Sequence, residues 1–310
     1  MMLGWLIARA SEVAVGALES FSEAAGAPRY LTGVLSSLAS SLPEIALTLM
    51  AVMSGDPEVV EVAVLTVMMS VGAATVIVSA TAAVASIKSG GGVVEVPKEA
   101  MSDELNAIAF TLTAYLALSM VSMARLFSGH SNQLPRTVGP ILLLAYFSYI
   151  VMLASRAGGR RRGAGGAARH LLVGLAAMIP VFLSAEVLVY LVGELTTAGG
   201  LNVVHAAAAL ALVGTVPENG VAIVSAAKGD VEIGLGNALS GVTILALLAV
   251  GIVASVRPIP LDDYVVAQMG VTTASALMLK FSVRDDGKID LGEAILMVAL
   301  QALAFDLLLT

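Results

Sequence analysis

The sequence predicts an all-α polytopic membrane protein of about ten transmembrane helices, arranged as two inverted five-helix repeats. Three observations lead to this fold class. Hydrophobic residues make up 58% of the 310 residues and charged residues only 13%, whereas a soluble domain is about half apolar and about one quarter charged. Apolar stretches of roughly 20 residues, the length that crosses a bilayer core, recur along the chain. A polar motif also occurs twice, at a constant offset of 174 residues (from Glu44 to Glu218).

Short breaks of glycine, proline or charged residues divide the apolar stretches into ten predicted helices. The first covers residues 1–25, and we interpret it as a span rather than a cleaved signal peptide. It lacks a basic start and carries Arg9, Glu12 and Glu19 in its body. The other predicted helices cover residues 30–53, 58–87, 104–127, 137–155, 170–197, 202–227, 231–255, 262–282 and 290–309.

The placement of lysine and arginine predicts the orientation of these helices. With the N-terminus outside, the inner loops and helix ends hold twelve of the 16 basic residues, and the outer ones hold only Arg125, Arg136 and Arg257. Arg9 lies within the first span. Because cytoplasmic loops are enriched in basic residues, we expect both termini outside, a basic cytoplasmic loop at 156–169, and insertion in the cell membrane.

The repeated motif relates the two halves of the chain. At the 174-residue offset, matching residue types recur over the pairs Ser41 and Thr215, Pro43 and Pro217, Glu44 and Glu218, Gly55 and Gly229, and Asp56 and Asp230. Each half holds five predicted spans, an odd number, so the second copy enters the membrane from the opposite side. We therefore expect a first repeat at 1–155 and an inverted second repeat at 170–310, with a binding site near the midplane where the repeats meet.

Each copy of the motif places a proline and a glutamate in an apolar helix. Proline lacks an N–H, so Pro43 frees the carbonyl of Ala39 and Pro217 frees that of Val213. The hydroxyls of Ser40, Ser41 and Thr215 lie within one turn. A charged glutamate at a helix centre costs about 2.5 to 3.5 kcal/mol, a cost that a purely structural proline kink does not require.

Two carboxylates with hydroxyl and carbonyl oxygens predict an all-oxygen site at Glu44 and Glu218 for Ca²⁺, Na⁺ or H⁺. The alternative is that each glutamate is protonated and hydrogen-bonded within the bundle. The chain has no cysteine, which excludes thiolate metal sites and disulfides. It also lacks a basic patch with interleaved aromatics, as well as HExxH, P-loop and Gly-x-Ser-x-Gly motifs. We expect neither nucleic-acid binding nor an enzyme, and no cofactor beyond the transported ions.

The two motif copies resemble the alpha repeats of the calcium/cation antiporter superfamily, which includes the sodium/calcium exchangers. "ASSLPE" (39–44) and "VGTVPE" (213–218) are similar to that family's GTSLPE, and "GDVEIGLGNALSG" (229–241) is similar to its following GExDIAxGNxxGSN motif. "GDPEVVEVAVLTVMMS" (55–70) is similar to a lesser degree. The resemblance extends over nearly the whole chain and implies a ten-helix cation antiporter that works by alternating access.

By this resemblance Glu44 and Glu218 are the central cation-binding carboxylates, and Ser41 and Thr215 contribute oxygens. The sequence departs from the family where Val67, Val71, Gly241 and Leu245 replace side chains that carry ligand oxygens. The site is therefore poorer in oxygens than a typical exchanger, although Ca²⁺ takes six to eight of them. Nearby polar side chains that a helix rotation or register shift would bring in are those of Thr66, Ser70, Asn237, Ser240 and Thr243.

Two further polar features lie outside the central motif. Glu12 and Glu186 form a second symmetric pair, interpreted either as a proton-relay, entry-path or gating pair or as ordinary interfacial residues. The segment "SVRDDGKIDLGE" (282–293) has part of an EF-hand pattern, but Ser282 and Arg284 stand at its first two ligand positions. We expect it to form a charged turn that begins the last helix.

Three functions are compatible with the sequence. The first is a secondary active antiporter that exchanges Ca²⁺ or a related cation for Na⁺ or H⁺ at Glu44 and Glu218. The second is a non-transporting or regulatory membrane protein whose ion site has degenerated, and the third is a proton-coupled carrier of another cation. The expected partners are inorganic cations and the lipid bilayer.

Overall fold

The computed structural model describes residues 2–25, 34, 37–39, 41–89, 92–95, 98–129, 132–156, 167–197, 199–229, 231–285 and 287–309. The first five labelled helices are α1 (Met2–Ala25), α2 (Leu42–Ser54), α3 (Pro57–Lys88), α4 (Lys98–Ser128) and α5 (Val138–Arg156). They are followed by α6 (Ala167–Thr197), α7 (Val203–Lys228), α8, α9 (Asp263–Asp285) and α10 (Leu291–Leu309). Helix α8 runs through Val231–Thr243, a π-helical segment Ile244–Ala249, and Val250–Val256.

The predicted all-α class is confirmed, and most helix bounds lie within a few residues of the predicted ones. The largest difference is at α4, which begins at Lys98 rather than at residue 104. A hydropathy pattern detects only the apolar part of a helix, whereas the polar first turns continue the helix beyond it. The second predicted span, 30–53, is described as α2 from Leu42, and residues 30–33, 35, 36 and 40 lie outside the described part.

Several helices are long and apolar enough to cross a membrane. Among the described residues these spans are Ser37–Ser54, Pro57–Lys88, Leu105–Ser128, Ala168–Thr196, Gly234–Val256 and Leu291–Leu308, and Val138–Leu153 is a shorter apolar helix. Helices of this length and composition characterise integral membrane proteins.

Helices α3 and α8 form the centre of the bundle. About 83% of the apolar span of α3 and 72% of that of α8 is buried, against 28% for α6 and 22% for α10. The outer helices expose large apolar side chains such as Phe127, Leu144, Leu172 and Ile295, as expected for surfaces that face lipid. The two central helices begin at residues 57 and 231, which correspond at the 174-residue offset.

Two glycines end the helices that carry the repeated motif. Gly55 follows α2 with φ +76°, and Gly229 follows α7 with φ +95°. This left-handed conformation favours glycine because a Cβ would be strained there. Asp56 then caps α3 by accepting a hydrogen bond from the N–H of Glu58 at 2.9 Å. Gly55 with Asp56, and Gly229, therefore mark the turn between each motif helix and the central helix after it.

Two short strands connect distant loops at one end of the bundle. Strand β1 (Val93–Glu95) pairs antiparallel with β2 (Lys288–Asp290), which joins the α3–α4 connection to the α9–α10 connection. The Asp290 carboxylate accepts from the N–H of Glu293 at 2.8 Å, and the Glu293 carboxylate accepts from the N–H of Asp290 at 3.0 Å. This reciprocal capping box begins α10, so the predicted charged start of the last helix is confirmed. Residues 282–285 of the predicted turn instead belong to the end of α9.

Candidate cation-binding site

Glu44 lies in the first turn of α2, immediately after Pro43. Backbone hydrogen bonds continue on both sides of the proline, from Ser41 N–H to the Ser37 carbonyl at 2.9 Å and from Ile45 N–H to the Ser41 carbonyl at 3.1 Å. A proline in the first turn of a helix replaces an N–H that has no partner within the helix, so the position tolerates it. The Glu44 side chain is only 1% exposed, which makes it a carboxyl group in the protein interior.

The Glu44 carboxyl group packs against the second copy of the motif. A Cβ added to Gly214 would lie 2.7 Å from Glu44 Oε1 and 2.8 Å from Cδ, so the absence of a side chain at this point of α7 leaves room for the carboxyl in its present position. The next residue, Thr215, is buried and its hydroxyl donates to Ser70 Oγ at 3.3 Å. The structure thus brings Glu44, Thr215 and Ser70 of α2, α7 and α3 to one region.

Other hydroxyl groups of the first repeat are buried near this motif. Ser41 is fully buried at the start of α2, and Thr48 is buried one turn after Glu44. The Thr48 hydroxyl has no hydrogen-bond partner among the described residues. Thr66 of α3 donates to the Val62 carbonyl at 2.7 Å and lies 3.4 Å from the Ala207 carbonyl of α7. The first repeat therefore supplies oxygen atoms of the type that hard cations prefer.

Part of the predicted ligand set lies outside the described residues. The backbone of α7 is helical through Val213, Pro217 and Glu218, but their side chains are outside the described part, as is Ser40. Ala39, whose carbonyl the sequence predicts to be free, is described and buried. The convergence of Glu44 with Glu218 therefore stays a prediction.

Helix α8 supplies two buried polar side chains near its start. Asn237 is 3% exposed, and its Oδ1 has no hydrogen-bond partner among the described residues. Ser240 is fully buried, and its hydroxyl donates to the Asn237 carbonyl at 3.0 Å. Thr243, which the sequence also offers as a ligand, instead lies 3.0 Å from Thr111 of α4. The structure therefore places Thr243 in contact with a helix that carries no residue of the predicted cation site.

The four departures from the family pattern are buried. Val67, Val71 and Leu245 belong to the main hydrophobic core, and Gly241 of α8 is also buried. Leu245 lies within the π-helical segment Ile244–Ala249, where the helix contains an extra residue per turn relative to an α-helix. These positions contribute close packing of apolar groups rather than ligand oxygens.

A cavity of about 500 Å³ lies between the C-terminal end of α2, the start of α3 and the second half of α6. Its lining includes the carboxylates of Asp56, Glu186 and Glu194 and the ring of Tyr190. Glu186 is exposed, whereas the side chain of its predicted partner Glu12 lies outside the described residues. The structure therefore assigns Glu186 to the wall of this acidic cavity, about the length of two helical turns from the level of Glu44.

The arrangement around Glu44 differs from a pre-formed metal site. Among the described residues no group of three or more His, Cys, Asp or Glu side chains is placed so that it could hold a metal ion. A hard cation at Glu44 would therefore depend on neutral oxygens such as those of Thr215 and Ser70, with further ligands from α7. Sequence reasoning missed Gly214 and Thr48. Gly214 could have been noticed, because it replaces Ser40 at the 174-residue offset and is the one residue of the pair without a side chain.

Comparisons with known proteins relate this geometry to a family. A family model described as "Sodium/calcium exchanger protein" matches residues 1–154 and 169–304. The crystal structure of the H⁺/Ca²⁺ exchanger CAX is similar with a TM-score of 0.73 at 18% identity, covering 98% of this chain and 80% of that chain. The sodium-calcium exchanger NCX_Mj, soaked with 10 mM Na⁺ and 10 mM Sr²⁺, gives 0.69 at 18% identity over 98% and 96% of the two chains. No curated protein matches the sequence significantly.

Proposed function

Because the chain belongs to the sodium/calcium exchanger protein family, we propose that it is a secondary active antiporter that exchanges Ca²⁺, or a related cation, for Na⁺ or H⁺. The proposed midplane site is built on Glu44 and Glu218. The observation that carries the proposal is the buried Glu44 carboxyl packed against Gly214 of the second motif copy. A carboxyl held between two motif helices is costly in a membrane, and binding a cation offsets that cost.

Exchange follows from the sharing of one site by two ions. If both the driving ion and the transported ion bind Glu44 and Glu218, one must leave before the other binds. Transport then requires that the occupied site face the two sides of the membrane in turn. The two similar solved structures are named as exchangers of Ca²⁺, one against H⁺ and the other against Na⁺, so either counter-ion fits this scheme.

The packing of the helices supports two inverted repeats. Under the 174-residue offset, α1 to α5 correspond to α6 to α10. Helix α8 of the second half packs against α5, the counterpart of α10, just as α3 packs against α10. Likewise, α4 packs against α5 as α9 packs against α10. Helix α1 packs against its own counterpart α6, and α4 against α9. Such matched pairs are expected for a pseudo-two-fold axis in the membrane plane.

The transport assay that tests the proposal uses purified protein in proteoliposomes. We expect an imposed Na⁺ or H⁺ gradient to drive ⁴⁵Ca²⁺ uptake in the wild type, and Glu44→Gln or Glu218→Gln to abolish it. Glu61→Gln is the matched control, because Glu61 is an exposed glutamate on α3. The antiporter proposal fails if no cation moves under any gradient, or if Glu44→Gln and Glu61→Gln transport equally well.

A second candidate function is favoured by the apolar positions of the central helices. Val67, Val71 and Leu245 pack in the core, which leaves fewer oxygens than Ca²⁺ requires. A proton-coupled carrier of another cation, or a non-transporting protein with a degenerate site, would tolerate this loss. Repeating the assay with other divalent and monovalent cations separates them: uptake of a different cation driven by H⁺ alone supports the carrier, and the absence of all uptake supports the non-transporting protein.

A further inference from the structure

A second, smaller cavity lies between α3, α4, α8 and α9, away from Glu44. Its volume is about 20 Å³, enough for one particle of the size of water or Na⁺. Five hydroxyl-bearing residues line it, namely Thr75, Thr111, Thr243, Thr272 and Ser275, and the other six lining residues are apolar. The lining thus combines neutral oxygens from four helices in the middle of the bundle.

Three of these hydroxyl groups already donate their protons in hydrogen bonds within the protein. Thr75 donates to the Val71 carbonyl at 3.0 Å, and Thr243 donates to the Leu239 carbonyl at 3.1 Å. Since the Thr243 proton is engaged, Thr111 is the donor in the 3.0 Å bond between the two threonine hydroxyls. These oxygens therefore offer lone pairs, and no free proton, to a ligand in the cavity.

The remaining two hydroxyl groups are on α9. Ser275 is 1% exposed, and its Oγ has no hydrogen-bond partner among the described residues. A buried hydroxyl without a partner is costly and calls for a bound ligand. Thr272 is held in place by Gln268, whose amide donates to the Thr272 hydroxyl at 3.1 Å and to Gln301 Oε1 at 3.1 Å. Gln301 returns a bond to Gln268 Oε1 at 2.6 Å.

We propose that this cavity is a binding site for one monovalent cation of the size of Na⁺, separate from the site at Glu44. Oxygen lone pairs are the ligands that hard cations take, and neutral oxygens alone bind monovalent cations in channels and transporters. None of the lining residues carries a carboxylate, which disfavours Ca²⁺ with its demand for six to eight oxygen ligands. Ser275, whose Oγ has no other partner among the described residues, would ligate the cation through its lone pairs.

This location couples the proposed cation to the helices of the central site without competition for Glu44. Thr75 follows Ser70 on α3 by five residues, and Thr243 follows Asn237 on α8 by six, which are rises of about 7.5 and 9 Å. The apolar Val71 stands between Ser70 and Thr75. A cation in the cavity would therefore fix the positions of α3 and α8 against α4 and α9 whether or not Ca²⁺ is bound to Glu44.

The test measures equilibrium binding of ²²Na⁺ to the purified full-length protein, with choline as the inert replacement cation. We expect binding in the wild type and in Glu44→Gln. When Thr272→Val or Ser275→Ala is added to Glu44→Gln, we expect a loss of affinity of about tenfold or more, equal to about 1.4 kcal/mol. Thr81→Val is the matched control: Thr81 is a buried threonine of α3 without a hydrogen-bond partner among the described residues, and it does not line the cavity.

Two results would overturn the inference. In the first, ²²Na⁺ binding disappears in Glu44→Gln yet is the same in Thr272→Val, Ser275→Ala and Thr81→Val. Na⁺ would then bind only at the central site, and the proposed antiport would still stand. The other is a high-resolution structure in which the cavity ligand is identical in Na⁺ and in choline, at hydrogen-bond distances of about 2.8 Å, because that ligand is water. If a variant fails to fold, the comparison of the wild-type structures in Na⁺ and in choline still tests whether the cavity binds Na⁺.

Discussion

At the scale of single residues, two glycines shape the polar interior. Gly214 leaves the space that the Glu44 carboxyl occupies, and Gly72 leaves the space for the amide pair of Gln268 and Gln301. In both cases the buried polar group comes from another helix, so the glycine is required by a contact between helices rather than by its own backbone conformation. Substitution of these glycines tests the contacts without removing any polar group.

The first prediction concerns Gly214→Ala. The added Cβ would lie 2.7 Å from Glu44 Oε1 and 2.8 Å from Cγ, so the carboxyl group must move. We expect cation affinity, measured as the half-saturating concentration for ⁴⁵Ca²⁺ uptake, to weaken by about tenfold or more. Gly270→Ala is the control, because nothing lies within 4 Å of its Cβ position. Equal affinity in the two variants would show that the Glu44 carboxyl does not bind the cation.

The second prediction concerns Gly72→Ala. Its Cβ would lie 2.5 Å from Gln301 Nε2 and 2.9 Å from Gln268 Oε1. Overpacking of this kind typically costs about 1 to 3 kcal/mol, so we expect a lower Tm in detergent than for Gly270→Ala. The double variant Gly72→Ala with Gln301→Ala should recover part of that loss, because it removes the colliding amide. A Tm unaffected by Gly72→Ala would contradict the packing of the amide pair.

The sequence could predict the site residues that belong to a local motif. Glu44, Ser41 and Thr215 stand out because the motif repeats, and all three are buried in the structure. The contact of Glu44 with Gly214 and the pairing of Gln268 with Gln301 could not be predicted, since they join residues far apart in the chain and depend on how the helices pack. The contact of Thr243 with Thr111 was not predictable for the same reason.

At the scale of the helices, their ends were more predictable than their interiors. Gly55, Gly229 and Asp56 signal the motif-helix turns by their conformational preferences. The π-helical segment in α8, with the sequence ILALLA, gives no such signal, because its aliphatic side chains suit an α-helix equally well. Its register shift comes from the packing of α8 in the bundle, which the sequence pattern does not contain.

The third prediction is made at this scale and concerns the start of α10. Asp290→Ala removes the side-chain half of the capping box with Glu293, and loss of such a cap typically costs about 1 kcal/mol. We expect a lower Tm for Asp290→Ala and near wild-type stability for Asp290→Ser, whose hydroxyl can accept the same bond. Indistinguishable Tm values for the two variants would mean that the cap does not stabilise α10.

At the scale of the whole molecule, the fourth prediction concerns orientation. Lys228 at the end of α7 and Arg257 after α8 are both exposed, and α8 lies between them. The distribution of basic residues predicts Lys228 inside and Arg257 outside. Since the chain has no cysteine, single variants Lys228→Cys and Arg257→Cys can be labelled cleanly. A membrane-impermeant maleimide should label Arg257→Cys in intact cells and Lys228→Cys only after permeabilisation; the reverse pattern would invert the proposed topology.

The proposed inverted repeats also bear on how the molecule moves, because the two halves are not packed identically. Helix α2 packs along α6, whereas among the described residues the corresponding contact of α7 with α1 is small. Leu42 of α2 and Ala177 of α6 belong to one buried cluster. If two inverted repeats exchange their conformations, the contact between α2 and α6 is replaced by the corresponding contact between α7 and α1. Helix α1 then approaches α7 as α6 moves away from α2. Under the proposed antiport, the structure would then represent one of two alternating states.

The fifth prediction follows from that asymmetry. A disulfide formed by mild oxidation between Leu42→Cys and Ala177→Cys should hold α2 against α6 and stop ⁴⁵Ca²⁺ uptake, and reduction of the disulfide should restore uptake. Each single cysteine variant, treated in the same way, is the control. The positions related by the 174-residue offset are Val216 and Leu3, and a cysteine pair there should cross-link only in the opposite state. Full transport by the cross-linked Leu42–Ala177 protein would rule out movement of α6 against α2 as the gating step, since two linked helices cannot separate.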